Sequence, residues 1–449
     1  MKSGWTLAAC ALAAALAAGC GDADLDGVRD EIDNCPFVAN AEQADTDGNG
    51  IGDTCQRVPK DTDGDGVDDA VDNCPYVPNP LQADGDLDGV GNACDDDARA
   101  LVERVLAEIA GDDTEGRRAL TPGGALARER LIAEMVALVL APAGAAPGSY
   151  EQPFPSGVNL IGLLEPPGTE GTPPQVLLGA HYDHLGLSCR SHPLAASAVC
   201  NGATDNAGGA AGVLAAIRAL AATATAPVAV ALWDAEEIGL RGSAFWADAP
   251  TFDTGALRLY VNLDIVGANL FIGAEHRTFV IGAESGGPAL IDDLAAARAV
   301  SPIVAAPVST VFGEGRSDYA NFIGRVPFVF FGDSTGSSYH TTGDEIAHVN
   351  VDKISEVARI AAALAESALA RPAPYPIEPV SEVLPIFSDA APIRDALASL
   401  LSLADANGLD LGTRIFLAAS VHNLGKIVAQ GPAGFDPGDA VEIGVAALT

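Results

Sequence analysis

The sequence predicts an α/β protein, a three-layer sandwich around a mainly parallel central sheet, preceded by an irregular segment without an apolar core. Three observations carry this. From residue 98 onward short apolar runs alternate with helical ones, the pattern of strands joined by crossover helices. The 449-residue chain is 48% hydrophobic, enough to bury a full-sized core. The charge is uneven, because residues 21–97 hold 22 acids against 3 bases and so supply −19 of the chain's −37. A field of this sign repels nucleic acid and anionic lipid head groups and excludes both as partners, and it makes divalent cations the obvious counter-charge.

Residues 1–20 read as an export signal: Lys2, then an Ala/Leu-rich apolar run from Trp5 to Ala18, too short to span a bilayer. The end, Leu16-Ala-Ala-Gly-Cys20, resembles a bacterial lipobox, which implies cleavage before Cys20 and acylation of its thiol. An ordinary secretory signal cut nearby is the alternative. The mature chain is therefore expected outside the cytoplasm, in a bacterial cell envelope as a lipoprotein or secreted, and touching a membrane only through the lipid. No later run is long enough to cross one. Six of the eight cysteines remain beyond Cys20, an even number compatible with three disulfides.

Residues 21–97 repeat at an offset of 39, which carries Asp33-Asn-Cys35-Pro onto Asp72-Asn-Cys74-Pro and Cys55 onto Cys94. Four loops of the pattern D-x-D-x-[DN]-G supply alternate oxygen ligands: Asp22, Asp24 and Asp26; Asp45, Asp47 and Asn49; Asp61, Asp63 and Asp65; Asp84, Asp86 and Asp88. The glycine at the sixth place permits the turn that closes oxygens around Ca2+. The twelfth place is acidic in three loops, Asp33, Asp72 and Asp95. Composition alone would suit a disordered acidic linker, but spaced glycines and phased cysteines oppose it. The pattern D-N-C-P...N...Q-x-D resembles the thrombospondin type 3 repeat, which implies disulfides Cys35–Cys55 and Cys74–Cys94 and several bound Ca2+.

The large domain is expected over 98–371. Helices are predicted at 98–110, 124–140, 206–222, 287–299 and 351–370, and strands at 158–164, 175–180, 227–233, 258–263, 278–282 and 326–331. In such sheets chemistry gathers at the carboxyl ends of strands. There the sequence places His181 and Asp183, then Glu236 and Glu237, then Asp264, while Asp205 opens a helix and His340 sits in a Gly/Ser-rich loop. Two histidines with three carboxylates suit two transition ions of the zinc kind. Any one of them alone would read as structure, an N-cap or a solvated loop.

The series H-x-D, T-D-N-A-G-G, E-E-I-G-L-R-G-S, N-L-D-I-V-G and Y-H-T-x-x-D resembles the M28 family of co-catalytic zinc peptidases over roughly residues 150–371. The resemblance implies a zinc exopeptidase-like fold acting on a peptide substrate. It implies two Zn2+, one on His181 and Asp264, the other on Glu237 and His340, with Asp205 as the bridge. It also implies Glu236 as general base and Asp183 as the carboxylate that orients the His181 ring. Thr204 and Ser317-Asp318-Tyr319 depart from the family pattern without removing a ligand. His184 and His192 are then expected outside the ligand set, on the surface or behind it. Cys189 and Cys200 are expected to form a disulfide.

Residues 372–449 begin with a Pro-rich linker and continue with helical character at 389–404 and 413–428, as a packed extension or a separate module. The leading function is an exported zinc aminopeptidase. A single-zinc glutaminyl cyclase, a carboxypeptidase of the same fold and a calcium-dependent adhesion protein with an inactive enzyme domain are the alternatives.

Overall fold

Where the sequence is apolar on consecutive positions it forms strands buried on both faces. The computed structural model describes residues 97–447 except 194 and 196, and ahead of them 26–29, 32–35, 38–46, 48, 52, 54, 67 and 71–74. The chain divides into two units, Met1–Gln82 and Ala83–Thr449.

The second unit opens with helices α1 (Asp97–Ile109) and α2 (Pro122–Ala137), followed by strands β1 (Ala141–Pro142), β2 (Glu151–Phe154), β3 (Gly157–Leu164) and β4 (Val176–His181). It continues with α3 (Gly208–Leu220), β5 (Val228–Trp233), α4 (Arg241–Asp248), β6 (Leu259–Leu263), β7 (Arg277–Ile281) and α5 (Gly287–Ala297). It closes with β8 (Val304–Val308), β9 (Phe328–Gly332), α6 (Val351–Ala370), α7 (Ala390–Ser402), α8 (Leu411–Gln430) and α9 (Pro437–Ala447). Helix starts follow their caps: the Thr121 hydroxyl accepts from Gly124 N at 3.2 Å ahead of α2, and Asn350 Oδ1 accepts from Lys353 N at 3.0 Å ahead of α6.

Among the described residues the sheet has nine strands, in the order β1-β3-β5-β4-β6-β9-β7-β8 with β2 beside β3. The four central strands β5, β4, β6 and β9 are parallel. The centre of the sheet is parallel as expected and its flanks are antiparallel, since β3 pairs antiparallel with β5, and β7 antiparallel with β9. The reason is connectivity. A helix between two strands returns the chain to the same end, as α3, α4 and α5 do, whereas the helix-free loops 165–175 and 264–276 reverse it. The elements absent from the sequence reading are short or proline-bearing. β1 and β2 contain Pro142 and Pro153, and β8 carries Pro307 at the sheet edge, where a missing N–H is tolerated.

Alternation along the central strands builds the layers. Val176, Leu178, Val228, Val230, Val261 and Leu263 face the core shared with α1, α3, α5 and α6. Leu177, Ala229, Ala231, Trp233 and Tyr260 face a smaller aromatic core with Trp246 of α4 and Phe322. The C-terminal helices pack on the sheet's edge: Ile393, Leu417, Leu424 and Ile443 join Ile281 and Val308 in a third core. The Pro-rich stretch ahead of them is docked, with the Tyr375 hydroxyl donating to Asp293 Oδ2 at 2.7 Å. Among the described residues no helix is long and apolar enough to cross a membrane.

In the first unit the 39-residue period appears as repeated geometry. Asp33 Oδ1 accepts from Cys35 N, and Asp72 Oδ1 accepts from Cys74 N, each at 2.8 Å. Asp26 holds Val28 N and Asn40 N through its two oxygens, and Asp45 Oδ1 accepts from Gly48 N, all at 2.8 Å. Cys35 and Cys74 are each disulfide-bonded.

Leu424 is fully buried in the third core. Leu424→Ala is expected to lower the free energy of unfolding by about 2–5 kcal/mol, since the cavity cannot fully collapse. Urea denaturation of the full chain checks this.

Candidate active site

The carboxyl ends of three parallel strands and two loops converge on one buried cluster. β4 ends in His181, 1% exposed, with Tyr182 and Asp183 following. β5 runs into Asp234, Glu236 and Glu237, and β6 into Asp264. Asp205 sits in the turn 203–207 that opens α3, and His340 in the loop between β9 and α6. Three neighbours of these groups adopt left-handed backbone without being glycine: Ala235 (φ 60°), Ile265 (φ 53°) and His340 itself (φ 53°). Such conformations gather where side chains must be aimed against local preference.

Asp205 lies between two clusters. His181 Nε2 stands 3.4 Å from Asp205 Oδ1 and 3.2 Å from Asp264 Oδ1. His340 Nε2 stands 3.1 Å from both Asp205 Oδ2 and Glu237 Oε2. Ligands about 2.0–2.2 Å from a tetrahedral ion lie roughly 3.3–3.6 Å from one another, so these spacings suit divalent cations of the zinc kind. Ligand-type atoms of His181, Glu236 and Asp264 lie within 4.8 Å of one another, as do those of His184, Asp205 and Glu237. The donor set fits the ions by a second criterion. Both ring nitrogens of His184, Asp205 Oδ2 and Glu237 Oε1 are buried with no hydrogen-bond partner, a state that a cation relieves.

His184 takes the second of its two expected places. It is fully buried behind the surface, and its Nδ1 lies 2.6 Å from Glu237 Oε1 without the alignment of a hydrogen bond. The ligand set as read from the sequence had no place for it, yet it stands inside the second cluster. His192 is half-buried in the rim, its N–H donating to Thr342 Oγ1 at 2.9 Å. The role given to Asp183 is also corrected. Its carboxylate is 3.7 Å from His181 Nδ1, too far for a hydrogen bond, while its own carbonyl oxygen is 3.2 Å away. The Asp183 carboxylate instead accepts from Glu236 N at 3.0 Å and so holds the backbone of the glutamate pair.

The electrostatics record how crowded the acids are. Burial, with Asp264, Asp318 and Asp205 nearby, pushes Glu236 up to about 10 against the pull of His181. Burial also raises Asp264, and raises Asp318 to about 7. Burial would lower His340, but the Asp205 and Glu237 carboxylates beside its Nε2 outweigh it and raise the ring to about 10. Asp205 is held well below the carboxylate range, because the His181 and His340 rings beside its two oxygens overcome its burial.

Two further residues hold the cluster and were not singled out in the sequence. Arg117, fully buried in the loop after α1, donates from Nε to the carbonyl of Tyr182 at 2.7 Å. Its other nitrogens reach the carbonyls of Ile109, Asn201, Gly202 and Asp205. Burial lowers it to about 10, so it remains a cation at neutral pH. Asp344 accepts from Thr204 N at 2.9 Å, Thr204 Oγ1 at 2.8 Å and Asp205 N at 3.0 Å. Asp344 stood in the Y-H-T-x-x-D motif and was legible there, whereas nothing near Arg117 in sequence marks it. Gly202, at φ 55°, has no room for a side chain between the Asp205 carbonyl and the His184 ring. The rim is tied by the expected disulfide, Cys189–Cys200, with Cα atoms 5.9 Å apart.

Of the expected calcium ligands, Asp26, Asp33, Asp45 and Asp72 are described. Asp33 Oδ2 is buried with no hydrogen-bond partner, which suits a cation. Asp22, Asp24, Asp47, Asn49, Asp61, Asp63, Asp65, Asp84, Asp86, Asp88 and Asp95 lie outside the described residues, as do Cys20, Cys55 and Cys94.

The model of peptidase family M28 matches residues 159–365, and that of the thrombospondin type 3 repeat matches residues 20–43 and 44–82. The chain carries an M28 peptidase domain after thrombospondin type 3 repeats. No curated protein matches the chain. Similar solved structures include an aminopeptidase from Aneurinibacillus sp. strain AM-1, at 24% identity over 50% of this chain and 51% of that one, with TM-score 0.38. They also include the LapA aminopeptidase of Legionella pneumophila, at 17% identity over 61% and 71%, with TM-score 0.46. A third is the glutaminyl cyclase of Porphyromonas gingivalis, at 17% identity over 60% and 96%, with TM-score 0.47. This chain thus spans about half the length of the Aneurinibacillus enzyme. Arg117 lies outside the matched M28 span.

Arg117→Met keeps much of the volume but strips donors from five buried carbonyls. It is expected to destabilise the chain by about 3–5 kcal/mol and to lower metal retention on dialysis. Thermal unfolding and metal analysis of one sample read both effects, with Arg117→Lys falling between.

Proposed function

We propose that the chain is an exported zinc-dependent exopeptidase, an aminopeptidase that hydrolyses the N-terminal peptide bond of its substrate. The observation that carries this is Asp205, whose two carboxylate oxygens face separate histidine-carboxylate clusters, in a domain matched by the M28 peptidase family. His181, Asp264 and Asp205 Oδ1 would hold one ion, and Glu237, His340 and Asp205 Oδ2 the other. When bound, such a pair of zinc ions lowers the pKa of a water and draws electron density from the scissile carbonyl. Glu236 takes the proton of that water and delivers it to the leaving amine, with no covalent enzyme intermediate. Asp183 keeps Glu236 aimed by holding its backbone N–H.

The N-terminal segment is proposed as a calcium-stiffened spacer, exported behind the signal at 1–20 and anchored through lipidated Cys20. Its paired Asp33 and Asp72 turns support ion-organised loops, because there is little apolar mass to order them otherwise. Removing calcium with the disulfides intact should loosen the segment while zinc stays in the peptidase domain. Circular dichroism and scattering with and without calcium, beside zinc analysis, test this. An unchanged segment would make it an acidic spacer only.

Glu236→Gln keeps size and polarity but removes the proton acceptor. Turnover of a free aminoacyl anilide should fall by on the order of 10²–10⁴ with metal content near normal. Glu237→Gln weakens a proposed ligand and should lower zinc occupancy together with rate. The reverse pattern would overturn the division of roles. About two zinc ions per active chain are expected, and a fully active one-zinc preparation that cyclises N-terminal glutamine would move the assignment to a glutaminyl cyclase.

A further inference from the structure

A cavity of about 310 Å³ opens beside the metal-type cluster, at the small end of the roughly 300–1,000 Å³ typical of ligand sites. Its buried end is formed by His184, Asp183 and Glu237, the last facing His340. Pro155 and Ile238 contribute apolar wall, and the exposed end carries Arg118, Ser156 and Ser188. A second guanidinium stands over this end, since Arg241 Nη1 donates to Ser156 Oγ at 3.1 Å and its Nε to the Ile238 carbonyl at 3.0 Å. Among the described residues Arg118 Nη1 reaches only Ser188 Oγ, at 3.5 Å.

These two arginines stand apart from the ion-paired arginines of this molecule. The chain has 61 acids for 24 Lys and Arg, and exposed arginines such as Arg99, Arg316 and Arg325 each sit on a carboxylate. Arg118 and Arg241 have no carboxylate within ion-pair distance among the described residues. The cluster's own acids are on hand at the buried end of the same cavity, yet neither guanidinium reaches them. Two planar donors with free N–H groups, flanked by two serine hydroxyls, match a carboxylate in charge and in hydrogen-bonding capacity. The net negative charge of the chain does not veto an anionic ligand, because at ordinary ionic strength charges more than about 10 Å away are screened and the nearest donors decide.

We propose that this cavity receives the part of a peptide substrate next to the scissile bond, and that Arg118 and Arg241 select substrates bearing a carboxylate there. The proposal rests on the peptidase reading above. Two sources present that chemistry: the free C-terminus of a di- or tripeptide, and an acidic side chain within a longer peptide.

The test uses the full chain with zinc, calcium and disulfides intact, and matched substrate pairs. One pair is a dipeptide and its C-terminal amide, and the other is a hexapeptide with Glu or Gln in the second position. In at least one pair the acid should be preferred in kcat/KM by about tenfold at low salt, the scale of one charge-assisted hydrogen bond. The preference should shrink toward parity near 1 M salt. The pair that discriminates identifies the source. Arg118→Glu and Arg241→Glu, both exposed positions whose folding circular dichroism verifies, should abolish or invert the ratio. Hydrolysis of all four peptides with parity at low salt, or a preference that both charge reversals leave intact, overturns the proposal and leaves the peptidase reading standing. Hydrolysis of none overturns the peptidase reading. Calorimetric titration with the same peptides then still decides the cavity's preference, with equal affinity for acid and amide overturning it.

Discussion

Everything at the catalytic end of the sheet depends on one constraint: Asp183, Asp205, Glu236, Glu237 and Asp264 are packed together with little access to water. Burial strips such charges of hydration and like charges then repel, and the upward shift of Glu236 and Asp264 comes from that burial first and from the repulsion second. Cations are the natural remedy. Three histidine rings stand among the acids, and Arg117 lies underneath with its charge spread over the carbonyls that border the cluster. A bound cation would satisfy the unpartnered atoms on Asp205, Glu237 and His184.

The scaffold creates this crowding by direction. Strands β4, β5 and β6 are parallel neighbours, so their carboxyl ends emerge side by side and deliver His181, Glu236 and Asp264 to one place. The turn that carries Asp205 is then fastened from two sides. Asn206 donates from Nδ2 to the Leu263 carbonyl at 2.9 Å, next to Asp264, and Asp344 accepts from the Thr204 and Asp205 amides. Because Arg117 comes from the segment before the matched M28 span, the helical lead-in is part of the site's support and not only of its packing.

Much of this was legible beforehand. The central strands declared themselves through apolar runs ending in acids or histidine, and α6 through its period. The calcium-type loops stood out through a repeat offset that now reappears as identical Asp33 and Asp72 turns. What escaped had weak local signals. β8 is broken by Pro307, α4 is only eight residues long, and the antiparallel joints follow from loops that lack a helix. His184 escaped for a different reason, because counting ligands by motif closes the set before the fold shows which side chains are buried beside it.

The sequence by itself determined the residue types that converge, the order in which strands present them and the acidic repeat ahead of them, because these depend on short-range pattern. Only the tertiary structure decided that each oxygen of Asp205 faces its own histidine, that Asp183 holds the backbone of Glu236 and not the His181 ring, and that Arg117 supplies the buried counter-charge. Those facts are contacts between segments 24 to 135 residues apart. No local propensity encodes them. They follow from packing, which places a cation or a hydrogen-bond donor wherever burial would otherwise leave charge uncompensated.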